Sequence, residues 1–152
     1  MAGAHLELTS YLTDRVAAQG THFSLVLDAR PAPRVHVYAP GVSGYKPVRL
    51  TVIPQPGLVL RDAQFPKPED YFFKPLNEHV PVYQRPFRIV QDLMLDPSRE
   101  GSAALKDVTT LTIAGTFEYQ ACDDKVCFTP QSIPLSWSIG VKPLDRERVK
   151  PQ

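Results

Sequence analysis

Apolar residues recur at every second position along most of this chain, far more often than at the three-to-four spacing of an amphipathic helix. That period predicts strands with one buried face. Leu6 to Tyr11 alternates, and after a turn at Gly20 the segment His22 to Asp28 places Phe23, Leu25 and Leu27 on one side. Val35 to Tyr38 reads as a short strand ending at Pro40-Gly41, Val48 to Val52 as another stopped by Pro54 and Pro56, and Leu58 to Phe65 as the next. A longer strand is expected within Val82 to Leu95, with Pro86 marking an edge or a bulge.

The last third is the most regular. Leu111, Ile113, Gly115, Phe117 and Tyr119 share one face, and Thr112, Thr116, Glu118 and Gln120 share the other. Ile133, Leu135, Trp137, Ile139 and Val141 repeat the pattern against Ser132, Ser136 and Ser138. Odd positions therefore face the core in both strands, as in a two-sheet sandwich. Between them lies Cys122-Asp123-Asp124-Lys125-Val126-Cys127, a polar turn with a cysteine at each end. If the first strand runs on unbroken, Cys122 falls on the even, polar side with Glu118 and Gln120 and is reachable from solvent.

One stretch resists this reading. From Pro66 to Pro81 no clean period is visible, yet Tyr71, Phe72 and Phe73 are three consecutive aromatics. A loop of that length is expected to have a task, and exposed aromatics need a surface to cover; burial as a core plug is the plainer alternative.

Composition narrows the function classes. The 152 residues, 43% of them hydrophobic, suffice for one core and fall short of two ordinary domains. A single domain over 1–152 is expected, with its core at about 5–142 and a flexible tail at 143–152. The 16 prolines, roughly twice the usual share, favour short strands and shaped loops over helices. Seventeen basic and 16 acidic residues, spread along the chain, offer no electrostatic grip on nucleic acid or lipid. No apolar stretch approaches the ~20 residues that cross a bilayer, and the first residues lack the basic start and apolar run of a secretory signal.

Two cysteines cannot staple a whole domain, so their value is local. Their sulfurs meet only if the chain reverses at Asp123-Asp124-Lys125, and closing so short a loop stabilises the fold by only about 2 kcal/mol. Spacing leaves three readings open: a structural cystine pinning a hairpin, a redox pair, and two free thiols. A metal is disfavoured, because the spacing is not that of a zinc site and His5, His22, His36 and His79 are scattered. No histidine base with an orienting partner marks a cysteine hydrolase. Asp123 and Asp124 should raise a neighbouring thiol pKa while Lys125 lowers it. That balance suits a pair attacked by a partner of lower pKa better than one that starts the attack.

The segment from Tyr119 through Cys122, Asp123, Asp124, Lys125, Val126, Cys127 and Phe128 to Pro130 resembles the active-site hairpin of the N-terminal domain of the thiol:disulfide interchange protein DsbD. The resemblance extends to Val37-Tyr38 before Tyr45-Lys46-Pro47-Val48, to Glu69-Asp70-Tyr71-Phe72-Phe73, and to Gln131 and Pro134, covering roughly residues 20 to 140. The chain also resembles the DsbD-like domains appended to peroxiredoxin-like redoxin proteins. The family implies an all-β, immunoglobulin-like sandwich acting as a protein thiol-disulfide oxidoreductase without a cofactor or metal. It implies that Cys122 and Cys127 shuttle between disulfide and dithiol, accept electrons from a thioredoxin-like domain or protein, and pass them to downstream thiol proteins, in a periplasmic or otherwise exported setting.

By the same resemblance Cys127 is the sulfur attacked and Cys122 the one that resolves. An aromatic cap loop would shield the pair, with the covering ring at Phe72 or Phe73, or at Tyr71, and with acidic neighbours Glu69 and Asp70. His36 and Tyr38 match family tyrosines near the site, the histidine departing from that pattern, and Tyr119, Asp123, Asp124, Lys125 and Phe128 complete the neighbourhood. The remaining alternative is a non-catalytic docking sandwich whose cystine only pins a hairpin.

Overall fold

A computed structural model of the chain describes residues 2–142. The flexible tail expected at 143–152 lies outside the described residues.

Three sheets build the fold. The first has the spatial order β1 (Ala2–Gly3), β2 (Leu6–Leu12), β4 (His22–Pro31), β10 (Phe87–Leu95) and β7 (Leu58–Gln64), antiparallel throughout. The second runs β3 (Val16–Ala18), β13 (Gln131–Lys142), β11 (Thr110–Tyr119) and β6 (Arg49–Val52), with β3 parallel to β13 and the other pairs antiparallel. These two face each other across one core as an immunoglobulin-like β-sandwich. Leu8, Leu25, Leu27, Ile89 and Leu93 come from one side and Ile113, Phe117, Leu135, Trp137 and Ile139 from the other. The period-2 reading of the last third holds along β11, where every odd residue from Leu111 to Tyr119 is buried. It holds along β13 as far as Ile139, whereas Val141 is half-buried where the strand leaves the core.

The two layers are pinned at the tryptophan. The Trp137 indole N–H donates to Ser10 Oγ at 2.9 Å, across the sandwich. Its ring lies over Gly115, where an added Cβ would come within 2.7 Å of the Thr51 carbonyl oxygen and 3.2 Å of the indole. The missing side chain makes room for the large one, which is how close-packed interiors fit rings against strands.

The third sheet is small and holds Cys122. Its order is β12 (Ala121–Cys122), β5 (His36–Tyr38), β9 (Glu78–Tyr83) and β8 (Glu69–Phe73), all antiparallel. Three sequence expectations change here. The stretch between Pro66 and Pro81 is a β-hairpin rather than a loop: β8 and β9 pair from Glu69↔Val82 to Phe73↔Glu78. The chain reverses over a short 3₁₀ turn, Lys74–Leu76, with Pro75 inside it. Asn77 closes the turn in the left-handed region at φ 49°, its N–H donating to the Lys74 carbonyl. Alternation is hidden in the sequence because both faces of this hairpin carry aromatic rings.

The single strand expected within Val82 to Leu95 is two strands in different sheets, β9 and β10, with Pro86 in the break. Proline cannot donate to a ladder, so the chain leaves one sheet before it and enters another after it. The third change concerns Cys122. Strand β11 stops at Tyr119, and Ala121–Cys122 joins the third sheet instead of prolonging the second. The extrapolated parity fails at that switch. Cys122 is buried rather than reachable.

A seven-residue helix, α1 (Arg99–Leu105), fills a region where the pattern predicts no element. Ser98 caps it by accepting from the Gly101 N–H at 3.1 Å, and Leu105 packs against Gly57.

Candidate functional site

The disulfide sits where the third sheet meets the sandwich. Cys122 and Cys127 are bonded, their Cα atoms 4.0 Å apart. The reversal spans Asp123 to Val126 and contains the Asp123-Asp124-Lys125 segment where the sequence places it. The Asp123 N–H donates to the Val126 carbonyl at 2.9 Å, and the Phe128 N–H donates to Ala121 at 2.9 Å. Inside the turn, Asp123 Oδ1 accepts from the Lys125 and Val126 N–H groups, each at 2.8 Å. This Asx-type turn is the physical use of an aspartate directly after the first cysteine. Those backbone donors, Val126 before Lys125, hold the Asp123 carboxyl below its ordinary pKa of 3.8.

A depressed carboxylate pKa means the turn is held above the unfolded value and loosens as pH falls through the folded one. The Lys125 and Val126 amide resonances should therefore titrate together with a midpoint below 3.8. An NMR titration checks this, and Asp123→Ala should abolish that common transition. Independent midpoints for the two amides would remove the turn from the account.

Exposure separates the two sulfur-bearing residues. Cys122 is 1% exposed and lies in an apolar cluster with Tyr38, Val80 and Val82, flanked by Val42, Tyr45 and Tyr71. Cys127 is exposed. The pairing registers show which side chains share the face of Cys122, because residues directly opposite lie on the same side of a sheet. Cys122 is opposite His36, Tyr38 is opposite Val82, Val82 is opposite Glu69, and Val80 is opposite Tyr71. Alternation then adds Phe73 and Glu78 to that face. Val37 and Ala121 point the other way, into the sandwich core.

This face carries the aromatic cover. Tyr71 lays its ring over His36, with centroids 4.2 Å apart, and its hydroxyl donates to Asp124 Oδ1 at 2.8 Å. The β8–β9 hairpin is thereby latched to the cysteine turn. Tyr38 reaches Cys127 Sγ with its hydroxyl at 3.7 Å and His36 Nε2 at 3.4 Å, and Tyr45 stacks on Tyr38 at 4.3 Å. Tyr45 also donates to Glu78 Oε1 at 3.2 Å. Burial first, then neighbouring tyrosines and Glu78, pushes the Tyr38 pKa up to about 12. Burial and the bond to Asp124 push Tyr71 up to about 12 as well. Burial lowers His36 from 6.5, against the opposing pull of Asp124 and Asp123.

The five cap residues divide by face. Tyr71 and Phe73 line a cavity of about 60 Å³ together with His36, Tyr38, Tyr45, Val80, Lys125, Val126 and Cys127. Phe72 belongs to the opposite face, 43% exposed, with its ring on His79 at 4.7 Å. Asp70 is on that outer face too, accepting from or paired with His79 Nδ1 at 2.7 Å. Glu69 anchors the base of the hairpin: it accepts from the Gln84 N–H at 2.8 Å and pairs with Arg85. Phe128 stacks on His5 at 3.8 Å beside the turn. Tyr119 is drawn away from the pair, into the sandwich core, with its hydroxyl donating to the Ala4 carbonyl at 2.6 Å.

Sequence reasoning did not single out Tyr45, Val80, Val82 or Val126 as part of the site. Tyr45 and Val126 did carry a signal, since both stand in the segments that resemble the family, and the structure shows why Tyr45 matters: the Val48 N–H donates to the Tyr38 carbonyl, and Tyr45 stacks on the Tyr38 ring.

Sites for small substrates run to about 300–1,000 Å³, and the space beside the disulfide is several times smaller. Among the described residues no group of three or more His, Cys, Asp or Glu side chains is placed to hold a metal ion.

The family described as "Thiol:disulfide interchange protein DsbD, N-terminal" matches residues 9–134, a span that includes both cysteines and the whole third sheet. A search of the curated proteins gives no match. Among solved structures, the N-terminal periplasmic domain of ScsB from Proteus mirabilis superposes with a TM-score of 0.56 at 14% identity, over 88% of this chain. That likeness is one of fold, and the chain spans 47% of the ScsB structure. With the family match extending over most of its length, the chain belongs to the family of DsbD N-terminal domains.

Proposed function

We propose that this domain is a thiol:disulfide interchange module. It accepts electrons from a thioredoxin-like domain or protein through Cys127 and Cys122 and hands them to other thiol proteins. The observation that carries the reading is the asymmetry of the disulfide: one cysteine exposed at a turn, the other sealed in an apolar cluster. An attacking thiolate needs access to one sulfur only, and the exposed one is Cys127. The Tyr71–Asp124 latch and the rings of Tyr38, Tyr45 and Phe73 limit casual reduction until a partner surface moves them, a role that covering segments commonly play. Membership of the family and the periplasmic setting of the ScsB domain support placing the module in an exported compartment, where such pairs persist.

The test is the reduction potential of the pair, measured by equilibrating the domain in glutathione or dithiothreitol buffers and counting free thiols. The expected value lies near or above about −250 mV, within the range of exchange proteins. A value well below about −300 mV marks a structural cystine and overturns the reading in favour of a docking sandwich.

A further inference from the structure

When the disulfide opens at Cys127, the bonding electron pair passes to Cys122 inside the protein. Cys122 is 1% exposed and packed against Val80 and Val82. Burial disfavours a thiolate, so this leaving sulfur needs a proton from within the site. The residue directly across the strand pair is His36, itself 3% exposed and on the same face of the sheet. Opposed residues in an antiparallel pair hold their Cβ atoms about 4.5–5.5 Å apart, which brings an imidazole within reach of the sulfur.

The other groups around the imidazole are poorer donors. Tyr38, from the same strand, and Tyr71, from β8, are phenols pushed up to about 12. They hold their protons more tightly than an ordinary thiol does. Asp123 and Asp124, from the turn, are carboxylates that accept hydrogen bonds. Asp123 is occupied by the turn amides and Asp124 by the Tyr71 hydroxyl. Both favour a charged imidazole, against the larger effect of burial, which lowers the His36 pKa and places its charged form toward the acid end. Lys125 lines the cavity from the exposed turn, and Cys122, buried, is not among the residues that line it.

We propose that His36 delivers the proton to Cys122 Sγ as a protein dithiol opens the disulfide at Cys127. This rests on the interchange reading above. The attacking thiolate forms a bond to Cys127 Sγ, the Cys122–Cys127 bond breaks with its electron pair on Cys122 Sγ, and the imidazolium of His36 gives up a proton there. The imidazole recovers a proton from solvent. The partner's second thiol, deprotonated, then attacks the partner's first sulfur in the mixed disulfide, forming the partner's disulfide, and Cys127 leaves with the electron pair and is protonated at the surface. Two electrons have entered the domain, and the partner dithiol has become a disulfide.

The experiment is the rate of reduction by dithiothreitol from pH 5 to 9, divided by the reagent's thiolate fraction. It is paired with an NMR titration of the His36 ring in the oxidised protein. In the wild type the corrected rate should rise as pH falls through the His36 midpoint. His36→Gln should flatten that rise and slow reduction at the acid end by about 100-fold, the lower end of what general acid catalysis contributes. A wild-type corrected rate that stays level across the His36 midpoint overturns the assignment while leaving exchange intact, and it needs no variant to fold. His36→Gln reduced at the wild-type rate with the wild-type slope overturns it equally. A wild-type disulfide that resists reduction at every pH sinks the interchange reading and this inference together.

Discussion

Cys122→Ser should form a stable mixed disulfide with a thioredoxin-like protein whose active cysteine carries a thionitrobenzoate group, displaced as the free thiolate, and Cys127→Ser should not. Cys122→Ser leaves its one thiol at the exposed turn, whereas Cys127→Ser leaves it in the cluster with Tyr38, Val80 and Val82. Reaching a buried thiol requires local opening of the sheet around it. If that opening costs about 3 kcal/mol, a typical sub-global value, the rate falls by about 100-fold. Alkylation by iodoacetamide, followed by mass spectrometry on each single-cysteine protein, measures the same ratio without a partner. Equal trapping and equal alkylation would mean that burial at Cys122 does not protect it, and the assignment of Cys127 as the attacked sulfur would fall.

The second large effect concerns the cover. Tyr71→Ala with Phe73→Ala should speed reduction of the disulfide by small thiols by about tenfold, and Phe72→Ala alone should leave the rate nearly unchanged. The hydrogen bond from Tyr71 to Asp124 and its ring contact with His36 together contribute on the order of 1–2 kcal/mol to keeping the hairpin down. A loss of that size corresponds to about a tenfold gain in rate. Tyr71→Phe keeps the ring and removes the latch, so it should fall between wild type and the double variant. Phe72 faces outward on His79, which is why sequence position alone is a poor guide to the covering ring. Stopped-flow reduction with dithiothreitol at constant pH ranks the four proteins. A Phe72→Ala protein as fast as the double variant would place the cover on the outer face instead.

Much of this was legible along the chain. Period-2 alternation marks β4, β11 and β13 because a half-buried strand must show apolar residues on one side only. The turn at Asp123 is equally local: an aspartate oxygen two and three residues before a pair of amides is a short-range interaction, and the sequence displays it. The β8–β9 hairpin escaped the same reading because its two faces are both partly apolar. Tyr71 and Phe73 line the cavity beside Cys127, and Phe72 lies against His79. Alternation carries information only when one face is wet. Helix α1 left no periodic trace either, being seven residues long with a glycine that packs against Asp96.

The alternation and motifs along the chain thus reveal that it is β-rich, where its last two core strands run, that the cysteines flank a tight reversal, and which family their motif resembles. Folding in three dimensions sets which cysteine is exposed, which aromatic rings line the cavity beside it, and that His36 stands across from Cys122. The reason is the switch after Tyr119. A strand's parity is fixed by its own backbone only while it stays in one sheet, and the chain leaves the second sheet for the third between Tyr119 and Ala121. From there the burial of Cys122 is set by β5, β8 and β9, segments 39 or more residues away in the chain, with which no local pattern can communicate.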